Sequence, residues 1–539
     1  MGEKKWLDFY PETVPKQVDI PSITLYQLLE QAADQYPEQL AVIDGSRELT
    51  YKEVKESVDQ LAASLYQKGF TKGDRLAVVL PNSAEYIITY FATMRLGGII
   101  VQVNPLYQLD ELEYLVADAS PAWFVANDIQ QKKWHALANS KDIRSLYVPG
   151  SEVDEAEGVN RFYSFLKEGV STELPPEEVN PSHDVAVIQY TGGTTGRSKG
   201  VMLTHSNLLA NVEQSFAFSD GFLQVPGERM LSVTPFFHVY GMTGAMNLTI
   251  FAAGTIICQK RFQVEETLEL MRKHRPTFFP GVPTMYMALL QHPASTPDLL
   301  SSLKVCNSGS APMPVERMKE FERKTGSTIV EGYGLSEAAP ITHRNPVTGL
   351  KKAGSIGIPI PNTDSKIVDR ETGTVELQAG EVGELIIKGP QVMKGYWNKQ
   401  EETAQTLRNG WLFTGDLAKT DEDGYFYIVG RKKDMIIASG YNVYPTEIEE
   451  VLYQHEAVKE VCVFGVPDPY RGETVKAAIV LTEGAARSAE DITKWCSKRI
   501  AAYKIPKHIL FRNELPKTVV GKVLRYKLIE EERENETAN

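Results

Sequence analysis

Four cysteines in 539 residues, Cys258, Cys306, Cys462 and Cys496, are too few and too scattered to staple a chain or to chelate zinc. None belongs to a Cys-x-x-Cys pair and no histidine pair stands near them, which excludes a disulfide framework and fits a reducing compartment. Basic residues are also in deficit. Lysine and arginine together number 57 against 70 aspartates and glutamates, for a formal charge of −13 and a pI near 5.4. Such a surface is a poor match for nucleic acid, whose binding rests on phosphate contacts. A local basic groove for a phosphorylated ligand stays open. The first residues, MGEKKWLDFYPETVPK, hold no apolar stretch of the signal-peptide kind, and Trp6 stands where N-myristoylation needs serine or threonine. A long run without Asp, Glu, Lys or Arg covers residues 231–259, but Pro235, Gly241, Gly244, Asn247 and Gly254 interrupt it. That texture predicts a buried helix followed by a strand, not a transmembrane segment. With no targeting or spanning segment, the expected location is cytoplasmic.

The composition that remains is that of an ordinary globular protein, 42% hydrophobic and 24% charged. The length calls for a large domain plus at least one more. In the first half, helical and strand patterns alternate. Leu25, Leu28, Leu29 and Ala32 share one helical face, and AVIDG reads as a strand. Thr50 can cap a helix striped by Val54, Val58, Leu61 and Leu65, and Gly69 can end it. RLAVVL and GGIIVQVN then read as buried strands on either side of a helix capped by Ser83. This order predicts an α/β fold: a large N-terminal domain of several subdomains, with parallel-type sheets flanked by helices. After GRKKDM the elements shorten and mix, which predicts a small α+β domain of about 100 residues. The expected division is 1–430, a linker at 431–435, and 436–539. The acidic tail IEEERENETAN is expected to fray.

The densest chemical signal is YTGGTTGRSKG, running from Tyr190 to Gly200. Glycines let backbone N–H groups turn inward, threonine hydroxyls add donors, and Lys199 adds charge, as a triphosphate requires. The loop is not a Walker A motif, because Ser198 precedes the lysine and Gly200 follows it. Strand patterns flank it on both sides.

With five later motifs, this loop resembles the adenylate-forming superfamily of acyl-CoA synthetases, adenylation domains and luciferases. The matching segments are PFFHVYG around His238, SGSAP with EGYGLSE, GWLFTGD ending in Asp416, GRKKDMIIASGYN, and LPKTVVGKVLR with Lys522. VGRKKDMIIASGYNVYP and GELIIKGPQVMKGYW are most similar to bacterial long-chain fatty acyl-CoA synthetases. The resemblance implies ATP-dependent activation of a fatty acid through an acyl-adenylate, then thioester formation with coenzyme A. Medium-chain and aryl acids are the alternatives within the class, and a nucleotide sensor without turnover is the alternative outside it.

The same resemblance assigns roles. Thr191, Gly192, Gly193, Thr194, Thr195, Gly196 and Lys199 would hold the phosphates. Gly309, Ser310, Ala311, Glu331, Gly332, Tyr333, Gly334 and Ser336 would hold the adenine end. Glu337 and Thr194 would serve magnesium (Mg2+), Asp416 the ribose, and Arg431 the ribose or a phosphate. Lys433 would mark the hinge, Gly440 would approach the thiol channel, His238 would stand at the carboxylate end of the acyl pocket, and Lys522 would be the catalytic lysine of a mobile C-terminal domain. Val239 to Ile250 could line an acyl tunnel or be ordinary core. A long-chain product would make peripheral membrane contact plausible. Phe413 departs from the histidine that many long-chain relatives carry.

Overall fold

The computed structural model describes residues 4–127, 136–138, 140–148, 160–191, 198–309, 313, 315–438, 441–468, 471–485, 488–518 and 521–538. Two large sheets form the body. The first runs in the order Gly395–Tyr396, Gly200–Thr204, Val185–Tyr190, Ile99–Gln102, Arg75–Val79, Trp123–Asn127, Arg144–Val148 and Asn160–Arg161. It is parallel from Val185–Tyr190 to Asn160–Arg161 and antiparallel at its other edge. The second sheet is parallel across Thr328–Gly334, Val305–Ser308, Phe278–Gly281, Arg229–Ser232, Thr255–Cys258 and Leu40–Asp44, with antiparallel strands at both edges. This is the α/β architecture the alternating pattern predicts.

Local sequence explains the helices that pack on these sheets. Thr50 forms a full capping box with Glu53 on helix Tyr51–Gln67, and Gly69, at φ +83°, turns the chain out of it. Ser83 caps helix Ala84–Arg95, whose residues 84–94 are all buried. A helix apolar on every side must lie inside a core, and this one is part of the largest cluster, shared with Leu25, Val58, Leu61 and Phe91. Residues 231–259 likewise stay inside. A strand leads to a short turn, Val239–Gly241, then a π-helical segment Met242–Asn247, helix Leu248–Phe251 and strand Thr255–Cys258. Among the described residues, no helix is long and apolar enough to cross a membrane. All four cysteines are buried thiols.

A third, antiparallel sheet was not anticipated from the sequence. It comprises Asp364–Val368, Gly383–Lys388, Trp411–Thr420, Leu407–Arg408 and Phe426–Arg431. Residues 432–435 then lead into a fourth sheet built on the long hairpin Val458–Asp468 and Gly472–Leu481, with helices Pro445–Tyr453 and Ala489–Ser497. The tail corrects one expectation. It does not fray but forms helix Arg525–Ala538. Leu528 buries itself against Cys462, Phe464 and Val466, and Glu532 pairs with Lys476 at 2.5 Å while Glu531 pairs with Arg512. Two of the acidic residues that suggested a solvated tail, Glu531 and Glu532, are the partners of basic residues on or just beyond strands of the sheet.

Candidate active site

The body and the fourth sheet meet at a cavity of about 1860 Å³. It opens at the carboxyl ends of parallel strands, where α/β folds hold ligands because the loops converge there. Thr191 follows strand Val185–Tyr190, Gly309 follows Val305–Ser308, and Gly332, Tyr333 and Gly334 end strand Thr328–Gly334; all of them line the cavity.

The neck of the glycine-rich loop is closed by the Thr191 N–H donating to the Lys199 carbonyl at 3.0 Å, and the Ser198 hydroxyl donates to the Thr191 carbonyl. Beyond the neck, Gly200 cannot carry a side chain: a Cβ there would stand 2.7 Å from Ile188 Cγ2 and 3.3 Å from Trp397 Cβ. Lys199 lines the cavity. Gly192, Gly193, Thr194, Thr195 and Gly196 lie outside the described residues, as do Ser310, Ala311 and Gly440.

Glu337 sits on the 3-10 turn Ser336–Ala338, and both Ser336 and Glu337 line the cavity. One Glu337 oxygen accepts from the Tyr396 hydroxyl at 2.8 Å. Among the described residues, no three metal-ligating side chains cluster. A lone carboxylate with spare lone pairs does not cage a cation, but it fits a magnesium ion that keeps most of its water and leans on substrate phosphates.

Asp416 stands just behind the cavity wall, 5% exposed. Its carboxylate accepts from the Tyr333 hydroxyl at 2.5 Å and pairs with Arg431 Nε at 3.0 Å. Those two partners do line the cavity. Two hydrogen bonds leave about half of a carboxylate's acceptor sites free. Burial and Asp416 hold the Tyr333 phenol protonated. Within the run Arg431 to Lys433, Lys432 and Lys433 are exposed and Arg431 is half-buried. Arg431 pairs with Asp416, Lys432 pairs with Glu384 at 2.9 Å, and Lys433 is held below the usual lysine range by partial desolvation and by Arg431. Glu331 is placed differently from its neighbours. It stands outside the lining, takes the Met313 N–H at 2.9 Å, and burial pushes its carboxyl up to about 7.

His238 reaches the cavity from the turn before the π-helical segment. Its Nδ1 accepts from the Tyr240 N–H at 3.3 Å, so the neutral ring carries its proton on Nε2. Desolvation, then the charge of Lys522, pull its pKa down to about 4. Lys522 arrives from the opposite side on a tight hairpin. The Thr518 N–H donates to the Lys522 carbonyl at 2.8 Å, the Gly521 N–H to the Thr518 carbonyl at 2.9 Å, and Gly521 takes φ +77°. The hairpin rests on helix Pro283–Gln291, close enough that a Cβ at Gly521 would lie 3.1 Å from Thr284 Oγ1. Arg525 anchors the hairpin to the fourth sheet through Asp434 at 2.6 Å, Glu449 at 2.9 Å and the Val463 carbonyl at 2.8 Å. The Lys522 side chain stays open to the cavity. Crowding by protein, then the Arg431 guanidinium, pull its ammonium down to about 8.

The structure thus gathers Thr191, Lys199, His238, Gly309, Gly332, Tyr333, Gly334, Ser336, Glu337, Arg431, Lys433 and Lys522 around one space, with Asp416 directly behind them. Two residues escaped the sequence reading. Tyr240 packs its ring against Gly309 and donates to the Asn307 carbonyl at 3.0 Å. Tyr396 lies between Lys199 and Glu337. Both sit inside motifs that were noticed as wholes, but a tyrosine in an apolar string carries no signal of its own.

Known proteins resemble this chain in sequence and in fold. Residues 29–397 match the profile of the AMP-binding enzyme family, and residues 447–522 match the AMP-binding enzyme C-terminal domain. The chain is 47% identical, over 557 aligned positions, to a long-chain-fatty-acid–CoA ligase of Bacillus subtilis (strain 168), covering 99% of each. It is similar to the crystal structure of ATP-bound MatB from Rhodopseudomonas palustris, with TM-score 0.86, 33% identity and coverage of 94% of this chain and 99% of that one. It is also similar to an anthranilate CoA ligase in complex with anthranoyl-AMP, with TM-score 0.87, 27% identity and coverage of 97% and 99%. The chain belongs to the AMP-binding enzyme family, within the adenylate-forming superfamily.

Proposed function

We propose that this chain is an AMP-forming acid–thiol ligase that activates a fatty acid with ATP and transfers the acyl group to coenzyme A. The observation that carries the reading is the facing pair His238 and Lys522, with Asp416 and Arg431 beside them, at the carboxyl ends of the parallel strands. In the first half-reaction the fatty acid carboxylate attacks the α-phosphate of ATP, and pyrophosphate leaves. His238, neutral and donating from Nε2, orients the carboxylate without neutralising it. Lys522 sits where negative charge builds on the α-phosphate oxygens, so it favours the transition state over the ground state. Losing one such interaction costs about 3 kcal/mol, roughly a hundredfold in rate. Lys199 and the backbone of residues 192–196 take the β- and γ-phosphates. Asp416 accepts the ribose hydroxyls through its free lone pairs, and Tyr333 gives the purine an aromatic face. Glu337, with Thr194, would hold Mg2+, which supplies charge neutralisation of the triphosphate.

In the second half-reaction the thiol of coenzyme A attacks the acyl carbon and AMP leaves. We assign the hinge to residues 431–435, dividing 1–430 from 436–539. Arg431 and Lys433 on that hinge touch the nucleotide side, so rotation there would withdraw Lys522 and bring Gly440 towards the thiol. The long-chain reading rests on 47% identity to the Bacillus ligase over 99% of the chain, against 36% to a feruloyl-CoA synthase of Amycolatopsis sp over 91% and 27% to the anthranilate ligase. Of residues 239–250 only Val239 and Tyr240 line the cavity behind His238, while Met242, Ala245, Met246, Leu248 and Ile250 pack in the largest core, so that part of the segment is ordinary core. The work is placed in the cytoplasm, with peripheral membrane contact for a long-chain product.

The test follows pyrophosphate and AMP release from ATP and Mg2+ with acetate, octanoate, palmitate and coumarate, each with and without coenzyme A. Palmitate turnover that needs coenzyme A for sustained AMP release supports the proposal. A preference for coumarate reassigns the acid, and a single pyrophosphate burst indifferent to coenzyme A reassigns the acceptor.

A further inference from the structure

Lys199 and Glu337 carry opposite charges and line the same cavity. Left to themselves, an ammonium and a carboxylate in a shared cleft would pair, and each would be lost to a triphosphate and its cation. Instead each is turned to one side chain. The Tyr396 hydroxyl donates to Glu337 Oε1 at 2.8 Å, and Lys199 Nζ stands over the Tyr396 ring, 5.0 Å from its centroid. Tyr396 is itself firmly held. Gly395–Tyr396 pairs antiparallel with the strand that leaves the glycine-rich loop, with Tyr396 opposite Val201. The Tyr396 N–H donates to Thr403 Oγ1 at 2.9 Å, and the Trp397 N–H to the Gly200 carbonyl at 2.7 Å. The same strap fixes the other partner, because the Met393 N–H donates to the Glu337 carbonyl at 2.8 Å. Burial and Glu337 keep the phenol protonated, so it remains a donor across the physiological range.

We propose that Tyr396 is a positioning residue that keeps Lys199 and Glu337 apart, giving each a neutral, exchangeable partner until nucleotide arrives. Neither partner carries an opposite charge. The cation over the aromatic face is weakly held and gives way to phosphate oxygens, and the phenol's charge-assisted hydrogen bond takes one acceptor site of Glu337 and leaves the others for a cation, whereas a direct ion pair would occupy both charges. Toward the cavity Tyr396 contacts Lys199 and Glu337, so its effect runs through these two charged residues. The inference rests on the proposed nucleotide site.

The experiment measures ATP binding by calorimetry without added divalent metal, on the full chain, for the native protein and for Tyr396→Phe, Tyr396→Leu, Glu337→Gln and the double variant Tyr396→Leu/Glu337→Gln. Thermal unfolding is recorded for each. Tyr396→Phe keeps the ring under Lys199, so its ATP affinity is expected within about twofold of native. Tyr396→Leu lets Glu337 capture Lys199, and its affinity is expected to fall at least about fivefold. Removing the captor in the double variant is expected to restore binding to the level of Glu337→Gln alone, a rescue that lost packing cannot produce. Native-like binding by Tyr396→Leu overturns the proposal, as does a loss that Glu337→Gln fails to reverse. If the native protein does not bind ATP, the nucleotide reading itself falls.

Discussion

Because Lys522 combines a charge role with a displaced pKa, pH tests it more sharply than deletion does. With its ammonium pulled down to about 8, the lysine is almost wholly protonated at pH 7 and mostly neutral at pH 9. In the proposed adenylation step the charged form is the active one, so activity is expected to be full below about pH 8 and to be lost as pH rises through it. For the free enzyme, read in kcat/KM for ATP, pyrophosphate release is expected to drop about tenfold between pH 7 and pH 9. Bound triphosphate adds negative charge beside the ammonium and restores its basicity, so the fall in kcat should come at higher pH than the fall in kcat/KM. The groups facing Lys522 are Arg431 and Arg525, which lower its pKa, and Asp416 and Asp434, which raise it. His238, pulled down to about 4, stays neutral throughout this range and contributes nothing to the limb. The assay is a pH series of pyrophosphate release with palmitate, run on native protein and on Lys522→Arg. Arginine stays charged across the series, so the variant, slower through altered geometry, should lose the alkaline limb. A native profile flat to pH 9.5, or a limb unchanged in Lys522→Arg, would refute the reasoning.

Other substitutions probe the remaining supports. Asp416→Asn removes the charge that Arg431 and Tyr333 share; the KM for ATP should rise about 10- to 100-fold, from one or two charge-assisted hydrogen bonds, with unfolding temperature little changed. Arg525→Ala leaves Asp434 and Glu449 without their cation and should destabilise the small domain by ~2–4 kcal/mol in urea unfolding, with adenylation falling alongside because the Lys522 hairpin loses its anchor. Gly200→Ala forces a Cβ to within 2.7 Å of Ile188, which should cost ~1–3 kcal/mol and weaken ATP binding; a silent substitution would mean the loop neck is looser than described. Leu528→Ala should cost ~2–3 kcal/mol if the terminal helix packs on the sheet, and nothing if that segment is frayed.

Local signals carried far in this chain. Thr50, Ser83 and Gly69 announced helix ends that the structure forms with the expected caps, because capping needs only a few neighbouring residues. Alternating helix and strand patterns announced two parallel-containing sheets. The third sheet went unread because its strands lie among turns and most are only half-buried, while the one buried strand, Gly383–Lys388, is too short to mark a sheet. The terminal helix was misread for a related reason. IEEEREN is polar by composition, and only the basic residues Lys476 and Arg512, far off in sequence, make those charges adhesive.

The candidate site divides along the same line. Residue identity and spacing marked the glycine-rich loop as a phosphate-type turn, since chemistry of that density is uncommon in a turn, whereas Glu337, Asp416 and Lys522 stood out only through the resemblance to the adenylate-forming superfamily. What identity and spacing could not supply was contact. Nothing in the order of residues says that Asp416 is held between Tyr333 and Arg431, that Glu331 turns away from the cavity its neighbours line, or that Tyr396 stands between Lys199 and Glu337. The longest of those relations, Tyr333 with Asp416 and Lys199 with Tyr396, join distant parts of the chain and arise where strand ends converge. The amino-acid order decided which groups are present and which local turns offer them. Packing of the sheets decided which charges meet, which are insulated, and how far burial shifts their protons.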